Sequence, residues 1–126
     1  NIVKYRPPEN RDPFPNEIEA CREWLDKQIA IISPKIIVTL GRYSMAKFIP
    51  DVSIYRVHGQ ARFVDFKEKK YIVFPMYHPA AALRAGSMMA QFVADFGKLK
   101  SLLGGSAAAP VQVPVQPKEP EQSSLF

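Results

Sequence analysis

Cysteine is almost missing from this chain: Cys21 is the one thiol among 126 residues. A single thiol builds no disulfide framework and no cysteine-only metal site, and the expected compartment is reducing and cytoplasmic. Long apolar runs are missing as well. Nothing approaches the ~18 residues of a membrane-spanning helix, and the opening NIVKYRPP has no signal-peptide apolar region. Histidine is scarce, with only His58 and His78, so imidazole chemistry has two places to sit. No internal repeat is visible.

Proline, by contrast, is plentiful and divides the chain. From Gly104 onward, GGSAAAPVQVPVQPKEPEQSSLF is rich in Ala, Pro, Gln and Ser, a composition that cannot bury enough apolar surface to fold. The expectation is a folded portion over residues 1–103 and a disordered tail over 104–126. The tail holds Lys118, Glu119 and Glu121, net −1, so the chain's formal +5 leaves +6 on the folded portion. That sign suits a polyanion partner. Ile2 and Val3 open the chain like the inside of a strand, which suggests that an N-terminal part of a larger domain precedes them.

Along the folded portion, elements alternate. Residues 1–4 read as the end of a strand, followed by a loop whose prolines exclude a helix. Asn16 is the expected helix cap, with Glu17 and Glu19 in the first turn and Ile18, Cys21, Leu25, Ile29 and Ile32 on one face. KIIVTLG, closed by Gly41, reads as a buried parallel strand. A short helix is expected over 42–48, strands over 61–66 and 71–74 joined by the turn KEKK, and a helix over 87–103 with Met88, Phe92, Phe96, Leu99 and Leu103 inward. The expected fold is α/β: three layers, α/β/α, around a mainly parallel sheet that lacks its N-terminal part.

In such folds chemistry gathers at the carboxyl ends of the strands. Three groups fall there: Asn1, the turn from Gly41 to Ser44, and Tyr77-His78-Pro79. Taken alone, each has a plain structural explanation: a polar strand end, a tight turn into a helix, and a helix start in which Pro79 supplies the φ of the first turn. His58 reads as a surface or loop residue.

Together, NIVKYRPPENRDPFPNEIEACREWL, IIVTLGR and YHPAAALR resemble the successive motifs of family 4 uracil-DNA glycosylases, in order and correctly spaced, from residue 1 to about 102. The resemblance covers the C-terminal half or so of that domain. The family's earlier glycine-rich motif, its stacking aromatic and two of its cluster cysteines would lie upstream. The resemblance implies that Asn1 reads uracil and that His78 donates to uracil O2 and acts in catalysis. It implies that Leu83 wedges into the duplex with Arg84 on a flanking phosphate, the alternative for Leu83 being a place in the core. Arg6, Arg11, Arg42 and Ser44 are further candidates for DNA contact. Family members usually carry a four-iron, four-sulfur cluster; Cys21 matches one ligand, but Tyr5 stands where another cysteine is usual. No cluster is therefore expected, with Tyr5 packing in its place and Cys21 a buried structural thiol. The implied partner is uracil-containing DNA. The last residues, QSSLF, resemble the peptide by which repair proteins dock on the sliding clamp, through Gln122, Leu125 and Phe126. Two other readings are a non-catalytic DNA-binding module on the same scaffold and an unrelated nucleotide-binding domain. Convergence of Asn1 and His78 on one pocket separates the second from the rest.

Overall fold

The computed structural model describes residues 1–105 and 111–112. Proline and a carboxylate set the start of the first long helix, α1 (Pro15–Ile32). Pro15 takes the first helical position, where a missing N–H costs nothing, and Glu17 Oε2 accepts the backbone N–H of the cap residue Phe14 at 2.7 Å. Asn16, expected as the cap, therefore lies inside the first turn. Cys21 and Ile29 are buried and Ile18 and Leu25 are half-buried, but Ile32, expected on the same face, is exposed. It precedes Ser33, whose left-handed φ of 47° ends the helix.

After β1 (Ile36–Leu40), Gly41 turns the chain into α2 (Arg42–Ala46), and α3 (Ile54–Val57) follows. β2 (Arg62–Phe66) and β3 (Lys69–Met76) form an antiparallel hairpin through Lys67 and Glu68, both at positive φ. The third strand does not stop at Pro75 as expected but continues to Met76. β2 begins at Arg62, opposite Val73, so Pro75 has a strand neighbour on the β1 side alone, a position that tolerates proline. Short α4 (Pro79–Ala82), α5 (Gly86–Leu103) and β4 (Val111–Gln112) complete the described chain.

The sheet order is β1-β3-β2-β4, with β1 parallel to β3 and β4 parallel to β2. Residues 1–4 form no strand. Among the described residues β1 has a ladder partner on one side only, so this segment has no strand beside it to complete a ladder. Tyr71 and Val73 pack with Ile29, Met45, Phe48 and Ile49 in the main core. Phe74 and Met76, which alternation turns to the opposite face, are also buried, and α5 contacts the same strand. The architecture is α/β, as the alternation of elements predicted. No described helix is long and apolar enough to cross a membrane.

Candidate functional site

The carboxyl ends of β1 and β3 lie side by side, with Leu40 paired to Met76, and both strands turn there into short helices. Gly41 donates its N–H to Met76 O at 2.9 Å and adopts φ +90°. A Cβ on Gly41 would stand 3.2 Å from His78 Cβ, so the absent side chain lets the two turns close on each other.

His78 caps α4. Its Nδ1 accepts the backbone N–H of Ala80 at 3.1 Å, and Pro79 occupies the first helical position. A nitrogen that accepts a hydrogen bond carries no proton, so the neutral ring holds its proton on Nε2. His78 is exposed and lines a cleft of about 870 Å³ together with Asn1, Gly41, Arg42, Ser44 and Arg84. Asn1 and His78, which are far apart in sequence, thus converge on one pocket. The cleft therefore holds an amide with both donor and acceptor, an imidazole N–H donor, and two arginines.

The other predicted residues separate. Leu83 is 78% exposed, so core burial does not account for it. Ser44 Oγ donates to Leu40 O at 2.9 Å and to Gly41 O at 3.1 Å, which ties the turn together. Arg42 pairs with Asp12 at 2.9 Å and lies over the Tyr43 ring. Hydrogen bonding to Asp12, with burial, pushes the Tyr43 phenol up. Arg6 bonds Asn10 and lies outside this cleft. Arg11 is held by Glu17 at 2.6 Å and stacks on Phe14, so its charge is already engaged. Gln122, Leu125 and Phe126 lie outside the described residues.

Tyr77, placed with His78 at the strand end by the sequence, lines the cleft, and so does Tyr55, which sequence reasoning missed. Tyr55 carries no motif that points to it.

Around Cys21 the donors do not match a cluster. Cys21 is buried, and its Sγ accepts Lys4 N–H at 3.4 Å. Tyr5, expected to pack in a cluster's place, is 48% exposed, and its phenol is raised first by desolvation and then by the Glu17 carboxylate. Glu17, in turn, is lowered to about 2, chiefly by the Arg11 guanidinium and then by Phe14 N–H. No group of three or more His, Cys, Asp or Glu that could hold a metal exists among the described residues. One thiol beside an engaged phenol does not fit a cluster held by four thiolates.

A parallel strand pair whose carboxyl ends present polar side chains to a cleft is the place where α/β proteins commonly bind ligands. Residues 1–100 match the Uracil DNA glycosylase superfamily, and the chain belongs to it. It is 49% identical over 107 residues to a Type-4 uracil-DNA glycosylase of Sulfurisphaera tokodaii, covering 81% of this chain and 49% of that protein. To the Type-4 uracil-DNA glycosylase of Archaeoglobus fulgidus it is 40% identical over 110 residues, 82% of this chain and 55% of that protein. A segment amounting to 11% of a DNA polymerase of Bacillus phage SP01 is 34% identical over 105 residues, 83% of this chain. The chain spans about half the length of the curated glycosylases it matches.

Proposed function

We propose that the protein containing this chain is a DNA repair hydrolase that flips uracil out of DNA and cleaves its N-glycosidic bond in the cleft between Asn1 and His78. The observation that carries this reading is the Ala80 N–H to His78 Nδ1 hydrogen bond, which leaves Nε2–H as a donor in the cleft that Asn1 also lines. A flipped base exposes its Watson-Crick edge, and extrusion costs a few kcal/mol that pocket contacts offset. The Asn1 amide donates to uracil O4 and accepts from N3–H, the reverse of what cytosine presents. As the bond between C1′ and N1 breaks, its electron pair leaves with uracil and charge gathers on O2. A donor fixed in advance at O2 stabilises that transition state more than the ground state. Water then adds to the oxocarbenium-like sugar carbon and loses its proton.

In the full-length protein, His78→Ala lowers the single-turnover excision rate by ~10²-fold or more, the scale of one lost oxyanion-type donor. Asn1→Ala also slows excision from a U:G duplex. An unchanged rate in Asn1→Ala, or a His78→Ala effect confined to DNA affinity, contradicts the reading. The match within a phage polymerase favours a second reading, a DNA-binding module without excision activity; a wild-type protein that binds uracil-containing duplex and releases no uracil would establish it. A sliding clamp, reached through Gln122, Leu125 and Phe126, is a further proposed partner, supported by the sequence of the tail.

A further inference from the structure

Asp95 is 1% exposed, more deeply buried than any other charged side chain among the described residues, and the excision chemistry above makes no use of it. Its Oδ2 accepts from His58 Nδ1 at 2.6 Å, and its Oδ1 lies 3.4 Å from Lys98 Nζ. His58, expected as a surface or loop residue, lies in the turn after α3, with its side chain largely covered. The turn beside it is shaped around the carboxylate. Gly59 sits at φ +70°, a Cβ there would fall 2.1 Å from Asp95 Oδ1, and the Gly59 N–H donates to Pro75 O at 2.8 Å. The end of α3, the end of β3 and the middle of α5 therefore meet at one buried charge.

That meeting point lies behind the cleft. The His58 ring stacks on Tyr77 with centroids 4.3 Å apart and planes 30° from parallel. Tyr77 is buried, its hydroxyl donates to Gln91 Oε1 at 3.3 Å, and burial pushes its phenol up. Tyr55 lies on it at 5.8 Å. Both tyrosines line the cleft, whereas His58 and Asp95 do not. A buried carboxylate is costly unless partnered, and a pair of apolar side chains would fill such a volume as stably. Stability alone therefore gives no reason for an ion pair here.

We infer that His58 and Asp95 are positioning residues for uracil excision: Asp95 fixes the His58 ring, that ring fixes Tyr77, and Tyr77 sets the cleft wall at the residue preceding His78. The inference rests on the glycosylase reading of the cleft. The stack is what matters for rate, and the carboxylate matters through the ring it holds.

The test uses the full-length protein, single-turnover excision at saturating U:G duplex, duplex affinity, and the imidazole nitrogen resonances of His78. His58→Asn keeps an N–H for Asp95 but removes the ring. It is expected to lower the rate about tenfold, the scale of a small misplacement, with duplex affinity unchanged. Asp95→Asn keeps an oxygen acceptor for His58 Nδ1–H and retains most of the rate. Tyr77→Leu reproduces the His58→Asn loss, and the two together lose no more than either alone, because both act through one ring. A wild-type rate in folded His58→Asn, a loss confined to affinity, or additive losses overturn the inference. If His58→Asn does not fold, Tyr77→Leu and Asp95→Asn decide: loss in the first and retention in the second support the pair, and any other combination overturns it. Failure of wild-type protein to excise uracil removes the glycosylase reading alone. His78 resonances must still shift in His58→Asn, and unshifted resonances overturn the positioning.

Discussion

Gly41 sets how near the two strand ends can approach, and it does so by what it lacks. Its φ of +90° is one that L side chains rarely adopt, and its missing Cβ would stand 3.2 Å from His78 Cβ. Gly41→Ala must therefore either strain the turn or push His78 away from the cleft. The expected cost is ~1–3 kcal/mol of unfolding free energy, the range for a residue held in a sparsely populated backbone region. Equilibrium urea unfolding measures it, and a variant as stable as wild type contradicts the close packing. The same residue shows what a sequence conveys at this scale. GR after an apolar run reads as a turn, but the His78 side chain that the turn accommodates is a tertiary contact with no local signature. His78 itself was legible because Pro79 and the small residues behind it mark a helix start. Asp95 was not: a lone carboxylate in a helix reads as surface until its partner, 37 positions away, is known.

Helix α4 is one turn long, and its use lies in what it presents. Ala82 is buried while Leu83, at the carboxyl end, is 78% exposed beside exposed Arg84. An exposed leucine contributes little to folding, so Leu83→Ala should change stability by no more than about 0.5 kcal/mol. If Leu83 fills the gap left by a flipped nucleotide, the same variant loses excision from duplex DNA and keeps it on single-stranded substrate. Equal losses on both substrates would remove the wedge. Among the longer elements, helical periodicity gave the right kind of element and only part of the right face. In α5, Phe96 and Leu103 were expected inward, yet both are exposed while Asp95 is buried. Apolar spacing identifies a stripe, but the strand and turn packed against it decide its centre, and here Gly59 admits the carboxylate. Residues 1–4 were read as a strand from composition; a strand exists only where a neighbour completes its ladder, and none of the described residues does.

Across the described residues, the topology separates the cleft from β4. The cleft opens at the carboxyl ends of β1 and β3, at one edge of the four-stranded sheet, while β4 lies at the other edge. β2 runs antiparallel to β3 and β4 runs parallel to β2, so the chain leaves Gln112 heading toward the end of the sheet opposite His78. Gln122-x-x-Leu125-Phe126 places a glutamine three residues before an apolar pair in a stretch that is otherwise Pro, Val, Gln, Ser and charged residues. Leu and Phe in a stretch too polar to bury them are an aggregation liability unless something binds them. The nine residues between Gln112 and Gln122 span at most roughly 30 Å. If a clamp binds Gln122, Leu125 and Phe126 as proposed, that reach would tether the cleft beside a clamp-loaded duplex and raise its effective concentration there. A peptide of residues 112–126 is expected to bind a sliding clamp with micromolar affinity, and Leu125→Ala with Phe126→Ala to abolish binding. Because the proposed excision chemistry uses neither residue, the same double substitution in the full-length protein should leave excision from short duplexes unchanged while slowing it on clamp-loaded DNA. Calorimetry that detects no binding of the wild-type peptide at ~100 μM clamp would remove the clamp as a partner and leave the cleft chemistry as it stands.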